Sequence, residues 1–117
     1  MIAIKRAYEP AAPTDGTRVL VERLWPRGLA KSALRLDAWY KDIAPSPDLR
    51  RWYGHDPAKW PEFQRRYRAE LRAHTDALAP LLAAARRGPL TLLYAARDEQ
   101  RNSALVLRRV LEARLRS

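Results

Sequence analysis

Apolar and polar positions alternate along RVLVERL at 18–24, with Val19, Val21 and Arg23 on one side and Leu20, Glu22 and Leu24 on the other. A period of two predicts a strand. Pro26, which has no N–H for a sheet ladder, predicts where that strand stops. IAIKRA at 2–7 gives a first short strand, followed by a loop containing Pro10 and Pro13 and a turn signal at Asp15-Gly16. LDAWYKDIA at 36–44 gives a third strand, with a short helical turn around Leu34 as the alternative there. LTLLYAA at 90–96 is apolar throughout, between Pro89 and Arg97-Asp98. A run without alternation predicts a strand covered on both faces, as in the middle of a parallel sheet.

Helical spacing takes over between the third and fourth strands. In SPDLRRWYG, Ser46 suits an N-cap, Pro47 the first helical position and Gly54 a stop, which predicts a helix of two turns. HDPAKWPEFQRRYRAEL opens the next helix with Asp56 as cap, and Trp60, Phe63, Tyr67, Leu71 and His74 fall on one stripe opposite the arginines. His74 on that stripe reads as a structural residue. Pro80 makes TDALAPLLAAARRG a separate helix or a kinked extension ending at Gly88-Pro89. Asn102 or Ser103 caps a last helix whose apolar face carries Ala104, Leu107, Val110 and Leu111.

The predicted order is therefore β-β-β-α-α-α-β-α. The expected fold is a small single α/β domain over residues 1–117, with an about four-stranded, largely parallel sheet flanked by helices. The long helical crossover before the last strand places helices over the sheet.

Composition narrows the function classes. At 117 residues there is room for one core, and 47% hydrophobic with 31% charged residues is that of a folded chain. No apolar run reaches the roughly 18–20 residues that span a bilayer. The N-terminal MIAIKRAYEP has neither the apolar length nor the cleavage site of a signal peptide, so no membrane partner and a cytoplasmic location are expected. Cysteine is absent, which removes disulfides, thiolate nucleophiles and cysteine metal sites. The formal net charge of +10 favours anionic partners. Much of it is arginine at 65, 66, 68 and 72 and at 108, 109, 114 and 116; solvated helix faces coded by a GC-rich genome account for the same pattern.

Ligands of open α/β sheets sit at the carboxyl ends of the strands. The second strand delivers Arg23, Trp25 and Arg27 there; the third delivers Lys41, Asp42 and Ser46; the last delivers Tyr94, Arg97 and Asp98 ahead of Asn102. If those ends are neighbours, two arginines, a lysine and a helix N-terminus surround one anion site. Arg23, Arg27, Lys41, Ser46 and Asn102 are then the anion-binding candidates, with Trp25 and Tyr94 lining the pocket. Asp98 is the candidate acid/base and the first suspect as a partner for Arg23. The alternative is that Arg23 pairs with Asp98 or Glu22 and Trp25 fills an edge of the core. Neither a GxGxxG nor a GxxxxGK loop is present. His55 and His74, the two histidines, lack a carboxylate cluster, so no metal is expected. No nucleophile elbow frames Ser32, Ser46 or Ser103.

DGTRVLVERLWPRGL, WYKDIAPSPDLRRW, GHDPAKWPEFQRRYRAEL and LTLLYAARDEQRNSALVL resemble, nearly end to end, the YeaO-like branch of the domain-of-unknown-function family 488. The resemblance implies a compact α/β fold and carries no settled activity or cofactor. Its motif positions are matched here by Arg23, Trp25, Pro26, Arg27, Gly28, Lys41, Ser46, Arg50, Tyr67, Glu70, Tyr94, Asp98 and Asn102. Two departures stand out. Longer relatives carry a Cys-His-Arg block after the last strand that has no counterpart here, and Ser103 stands where family members often have His.

Three functional readings follow. The first is a basic pocket for a small phosphate or carboxylate ligand, with catalysis left open. The second is a nucleic-acid-binding or regulatory protein using the arginine-rich helices at 62–72 and 108–116, where net charge alone gives weak, non-specific binding. The third is a structural or interaction module without a small-molecule site.

Overall fold

The central strand is the one whose sequence lacks alternation. In the computed structural model, which describes Met1–Ser117, β4 (Leu90–Tyr94) is buried at every position. It is flanked by β1 (Ile2–Arg6) and β2 (Thr17–Leu20), and β3 (Ala38–Trp39) lies outside β2, giving the order β1-β4-β2-β3. All three pairings are parallel, with Ile2 opposite Leu90 and Thr17 also opposite Leu90.

Alternation then divides the sheet's two faces. Leu90, Leu92 and Tyr94 join Val19, Val21 and Ile2 in the main core, under α2 (Pro47–Tyr53), α3 (Trp60–Ala73), α4 (Ala79–Arg87) and α5 (Ser103–Arg116). Leu20 and Leu93 point the other way, into a small cluster with Ala7 and Leu34 of the one-turn α1 (Lys31–Leu34). Trp25 and Trp39 pack against that cluster edge to face, their centroids 5.3 Å apart.

The local signals in the helical half act as the sequence predicts. Ser46 caps α2 by accepting from the Leu49 N–H at 3.2 Å, and Gly54 ends it at φ 53°. Asn102 caps α5 by accepting from the Leu105 N–H at 2.9 Å. Asp56 caps a 3₁₀ turn at Pro57–Lys59, and α3 itself starts at Trp60. Pro80 sits in the first turn of α4, after a second 3₁₀ turn at Thr75–Leu78.

Three expectations are corrected. β2 leaves the ladder after Leu20, with one further bond from the Val21 N–H to the Leu93 carbonyl at 3.1 Å. The Ala95 N–H beyond that point is taken by the Glu22 side chain at 2.9 Å, so a side-chain oxygen stands where a longer strand would offer a backbone carbonyl. β3 shrinks from the expected 36–44 to two residues, because Lys41–Ile43 coil into a 3₁₀ turn. His74 leaves the apolar stripe: it follows the end of α3 with φ −129° and is exposed.

A buried ion network closes the amino edge of the sheet. Asp15 accepts from Lys5 at 2.9 Å, from the Ala12 N–H at 2.9 Å and from Arg18, whose guanidinium also donates to the Leu34 carbonyl. Gly16 beside it has φ 64°, and a Cβ there would collide with the carbonyl oxygen of Pro89.

Candidate functional site

The carboxyl edge of the sheet opens into a cleft of about 400 Å³. Its floor comes from the chain leaving β2 (Glu22) and β4 (Ala95, Ala96), one wall from α2 (Pro47, Arg50, Arg51, Tyr53) with His55, and another from Arg101 and the start of α5. Each wall is held in place by its own local chemistry.

The floor is fixed from both sides. Glu22 Oε2 accepts the Ala95 N–H at 2.9 Å, while Arg6 donates to the carbonyls of Ala96 at 2.9 Å and Ala95 at 3.4 Å. Burial pushes the Glu22 carboxyl up; the Ala95 amide, Arg50 and His55 pull the other way without cancelling it. A partly buried carboxylate with one oxygen bound to the backbone and the other free to meet a ligand is an uncommon thing to place on the floor of a basic cleft.

The α2 wall stands on aromatic packing. Tyr53 stacks on Phe63 of α3 at 4.3 Å between centroids, and its hydroxyl donates to the Arg101 carbonyl at 3.4 Å. Burial, reinforced by Asp98, raises the Tyr53 phenol, so it stays a neutral donor. His55 follows Gly54 in the left-handed region at φ 56°, a conformation uncommon outside glycine, and its ring lies 6.0 Å from Tyr53.

Three arginines rim the opening. Arg51 pairs with Asp48 and Arg101 with Asp98 at 3.2 Å, whereas Arg50 forms no ion pair. Arg50 is therefore the free cation of the rim. The N-terminus of α5 adds the partial positive charge of its unpaired amides at the Asn102–Ser103 edge.

Of the residues proposed from the sequence to bind an anion, line the pocket or act as acid/base, Asn102 alone lines this cleft. It is buried with both ends of its amide engaged: its Oδ1 caps α5 and its Nδ2 donates to the Asp98 carbonyl at 3.1 Å. Asp98 does satisfy an arginine, but that arginine is Arg101; its carboxylate also caps the Gln100 and Arg101 amides at 2.9 and 3.0 Å. The Gln100 amide foremost, then the Arg101 side chain and amide, hold the Asp98 carboxyl below its ordinary range. Arg23 reaches the loop at 42–45, donating to the carbonyls of Ala44 at 3.2 Å and Pro45 at 3.4 Å, and faces a second, smaller cavity of about 170 Å³. Ser46 lines that cavity too, held by Glu70 through its N–H at 2.9 Å and its Oγ at 2.6 Å. Arg27 is exposed, and only its carbonyl is engaged, by the Tyr8 hydroxyl at 2.9 Å. Lys41 lies over the Trp39 ring at 4.3 Å. The Trp25 indole donates to the Leu29 carbonyl at 2.7 Å on the opposite face of the sheet, and Tyr94 is buried in the main core. Arg23, Arg27 and Lys41 thus have different partners, and of the three only Arg23 lines either cavity.

Sequence reasoning did not select Glu22, Tyr53, His55, Arg51 or Arg101 for the site, and it named Arg50 as a motif position only. The structure groups no three His, Asp or Glu residues in a way that could hold a metal ion. No helix is long and apolar enough to cross a membrane.

A family model described as the inactive DUF488-N3 subclade matches residues 1–117. The chain belongs to that subclade. Among curated relatives, the uncharacterised protein YeaO of Escherichia coli K12 is 45% identical over 106 residues, covering 91% of this chain and 92% of its own. The uncharacterised protein Rv3073c of Mycobacterium tuberculosis H37Rv is 42% identical over 113 residues, covering 97% of this chain and 95% of its own. The uncharacterised protein Mb3100c of Mycobacterium bovis matches to the same extent, 42% over 113 residues. No solved structure matches the chain.

Set against this family, six of the motif positions fall into two groups by what they touch. Arg23, Ser46, Tyr67 and Glu70 gather around the loop at 41–46: Tyr67 donates to the Ile43 carbonyl at 2.6 Å, completing the bonds already described. Arg50 and Asn102 face the cleft. The first group supports Arg50, since the loop at 41–46 leads directly into α2.

Proposed function

We propose that the protein is a binding module for a small anionic ligand, seated in the cleft at the carboxyl ends of β2 and β4. The observation that carries this reading is Arg50, a guanidinium without an ion-pair partner on the rim of a cavity of about 400 Å³. Arg101 and the α5 N-terminus add positive potential from the facing wall, and arginine's planar fork suits carboxylate or phosphate oxygens. Glu22 sets a further requirement. A bare anion pressed against that carboxylate is repelled, so the anionic end lies toward Arg50 and Arg101, and a hydroxyl or amino group of the ligand meets the free oxygen of Glu22.

Binding is favoured over catalysis on two grounds. The chain has no cysteine, Asp98 is engaged with its own turn and Arg101, and Ser103 has no nucleophile elbow around it. The subclade is itself described as inactive.

The test is a thermal-shift titration with phosphate, sulfate, glycerol phosphate and small hydroxy and amino carboxylates. Wild type should be stabilised in a saturable way by at least one of them, by about 2.7 kcal/mol at a hundredfold excess over Kd. Arg50→Ala should abolish the saturable part and Arg27→Ala should retain it. Identical responses from wild type and Arg50→Ala to every ligand would refute the reading.

A further inference from the structure

A second basic concavity lies between α3 and α5, away from the cleft; no residue lines both. It has a volume of about 380 Å³ and is lined by Arg68, Arg72, Arg109, Val110, Ala113 and Arg114. Four guanidiniums share this groove and no carboxylate lines it. None of them takes part in an ion pair; the Arg109 guanidinium donates to Gln64 at 3.1 Å. The neighbouring turn of α3 shows the contrast, because Arg65 and Arg66 are both neutralised by Glu62. The Arg66 hydrogen bond foremost, with Arg65 adding to it against the effect of burial, holds the Glu62 carboxyl below its ordinary range. Glu70, the acid closest in sequence to Arg68 and Arg72, is turned away to Ser46.

We propose that this groove binds the phosphate backbone of a nucleic-acid duplex. Four cations held together on two packed helices repel one another, and a closely spaced row of phosphates relieves that repulsion with charge-assisted hydrogen bonds. The lining selects among polyanions. It contains no Trp, Tyr or Phe on which unpaired bases could stack, which disfavours single strands. The groove adjoins none of the exposed large apolar side chains, which are Met1, Tyr8 and Leu24, so nothing there would insert into a lipid surface. It offers no free Asn, Gln, Asp or Glu to read base edges, so the contact is to backbone and independent of sequence.

The experiment is fluorescence anisotropy of labelled random 20-base-pair DNA, and of one of its single strands, titrated with the full-length protein at several salt concentrations. Wild type should bind the duplex with a Kd on the order of 10⁻⁴–10⁻⁶ M, weakening linearly on a log–log salt plot with a slope of about −3 to −4 for four phosphates. Arg72→Glu/Arg114→Glu changes two exposed arginines and should flatten the slope by about two and weaken binding by about tenfold or more at low salt. Arg27→Glu/Lys31→Glu makes the same change of net charge on the segment covering the opposite face of the sheet, and should leave the slope within about half a unit of wild type. Melting temperatures of both variants control for folding. Equal losses in the two variants, tighter binding of the single strand, a strong preference for one duplex sequence, or no duplex binding at low salt would each overturn the proposal. None of these bears on the cleft, whose test uses small anions and Arg50.

Discussion

Glu70 should matter far more to this protein than a surface glutamate on α3 would. Its carboxylate accepts two hydrogen bonds from Ser46, from the N–H at 2.9 Å and from Oγ at 2.6 Å. Ser46 Oγ in turn accepts from the Leu49 N–H and so caps α2. Hydrogen bonds to a charged group contribute about 1.5–3 kcal/mol each when buried. Glu70 is half-buried, and water replaces part of each bond when it is removed, so Glu70→Ala should cost about 2–4 kcal/mol. For a chain of this length that is a drop in Tm on the order of 8–16 °C. Ser46→Ala loses the cap as well as one bond to Glu70, about 1–2 kcal/mol for the cap alone. Because the two residues share one interaction, the double variant should fall short of the sum by about 1–2 kcal/mol. Urea unfolding followed by fluorescence measures all three, since the chain has four tryptophans. The same variants should weaken anion binding in the cleft with Arg50 intact, because α2 carries Arg50 and Tyr53 and starts from this loop. A Glu70→Ala loss below about 0.5 kcal/mol, or additivity of the pair, would refute the assignment of Glu70 as the clasp of that wall.

Asp15→Ala should be the most damaging change at the amino edge, on the order of 3–5 kcal/mol by urea unfolding, because it strands the Arg18 guanidinium at 5% side-chain exposure. Glu22→Gln tests the cleft floor through pH. Burial raises the Glu22 carboxyl, so the folded state prefers its protonated form; that preference stabilises fully below the unfolded pKa and is lost as pH rises through the folded one. The Gln variant should therefore be more stable than wild type at neutral pH, with the gap closing on acidification toward about pH 4; a gap independent of pH would sink the argument.

The parts of the fold that were legible in the sequence are those governed by local chemistry. Leu90–Tyr94 was readable as the central strand because both its faces are buried, which leaves a short, non-alternating and mostly apolar run between Pro89 and Arg97. Ser46, Gly54, Asn102 and Pro80 marked helix ends because a cap acts within four residues of itself. What was not legible depends on partners distant in sequence. β2 stops early because the Glu22 side chain takes an amide 73 residues away, a contact with no periodic trace. Arg23 has apolar same-side neighbours, which correctly carries it to the sheet's carboxyl end, yet it meets the carbonyls of Ala44 and Pro45 and, at 4.0 Å, the exposed Asp42 carboxylate there. Arg50 and Arg101 were hidden among many arginines. The one distinguishing signal was that Arg50 lies a single turn inside a well-capped helix starting at a strand's carboxyl end.

The distribution of acids gives the charge excess its meaning. Lys and Arg number 23 against 13 Asp and Glu, so unpaired cations are inevitable. Several acids are bound to structural duties: Asp15 to Lys5 and Arg18, Glu70 to Ser46, and Asp98 to its turn and Arg101. Unpaired arginines that are exposed outside the cleft and the groove, such as Arg27, Arg35, Arg86 and Arg87, are solvated at little cost and need no ligand. A concave site differs, because its low-dielectric walls focus the field of each cation onto the others and onto whatever enters. Arg50 beside Arg101, and the four arginines between α3 and α5, are the unpaired or clustered cations in such concavities. The cleft also contains Glu22, a carboxylate that calls for a ligand of mixed polarity and modest size. The groove has no carboxylate and no aromatic wall, so only the density of negative charge along an extended partner can matter there. The two sites therefore separate by chemistry as well as by position. A small anion should not displace the duplex from the groove at millimolar concentration, and the duplex should not block the saturable thermal shift that depends on Arg50.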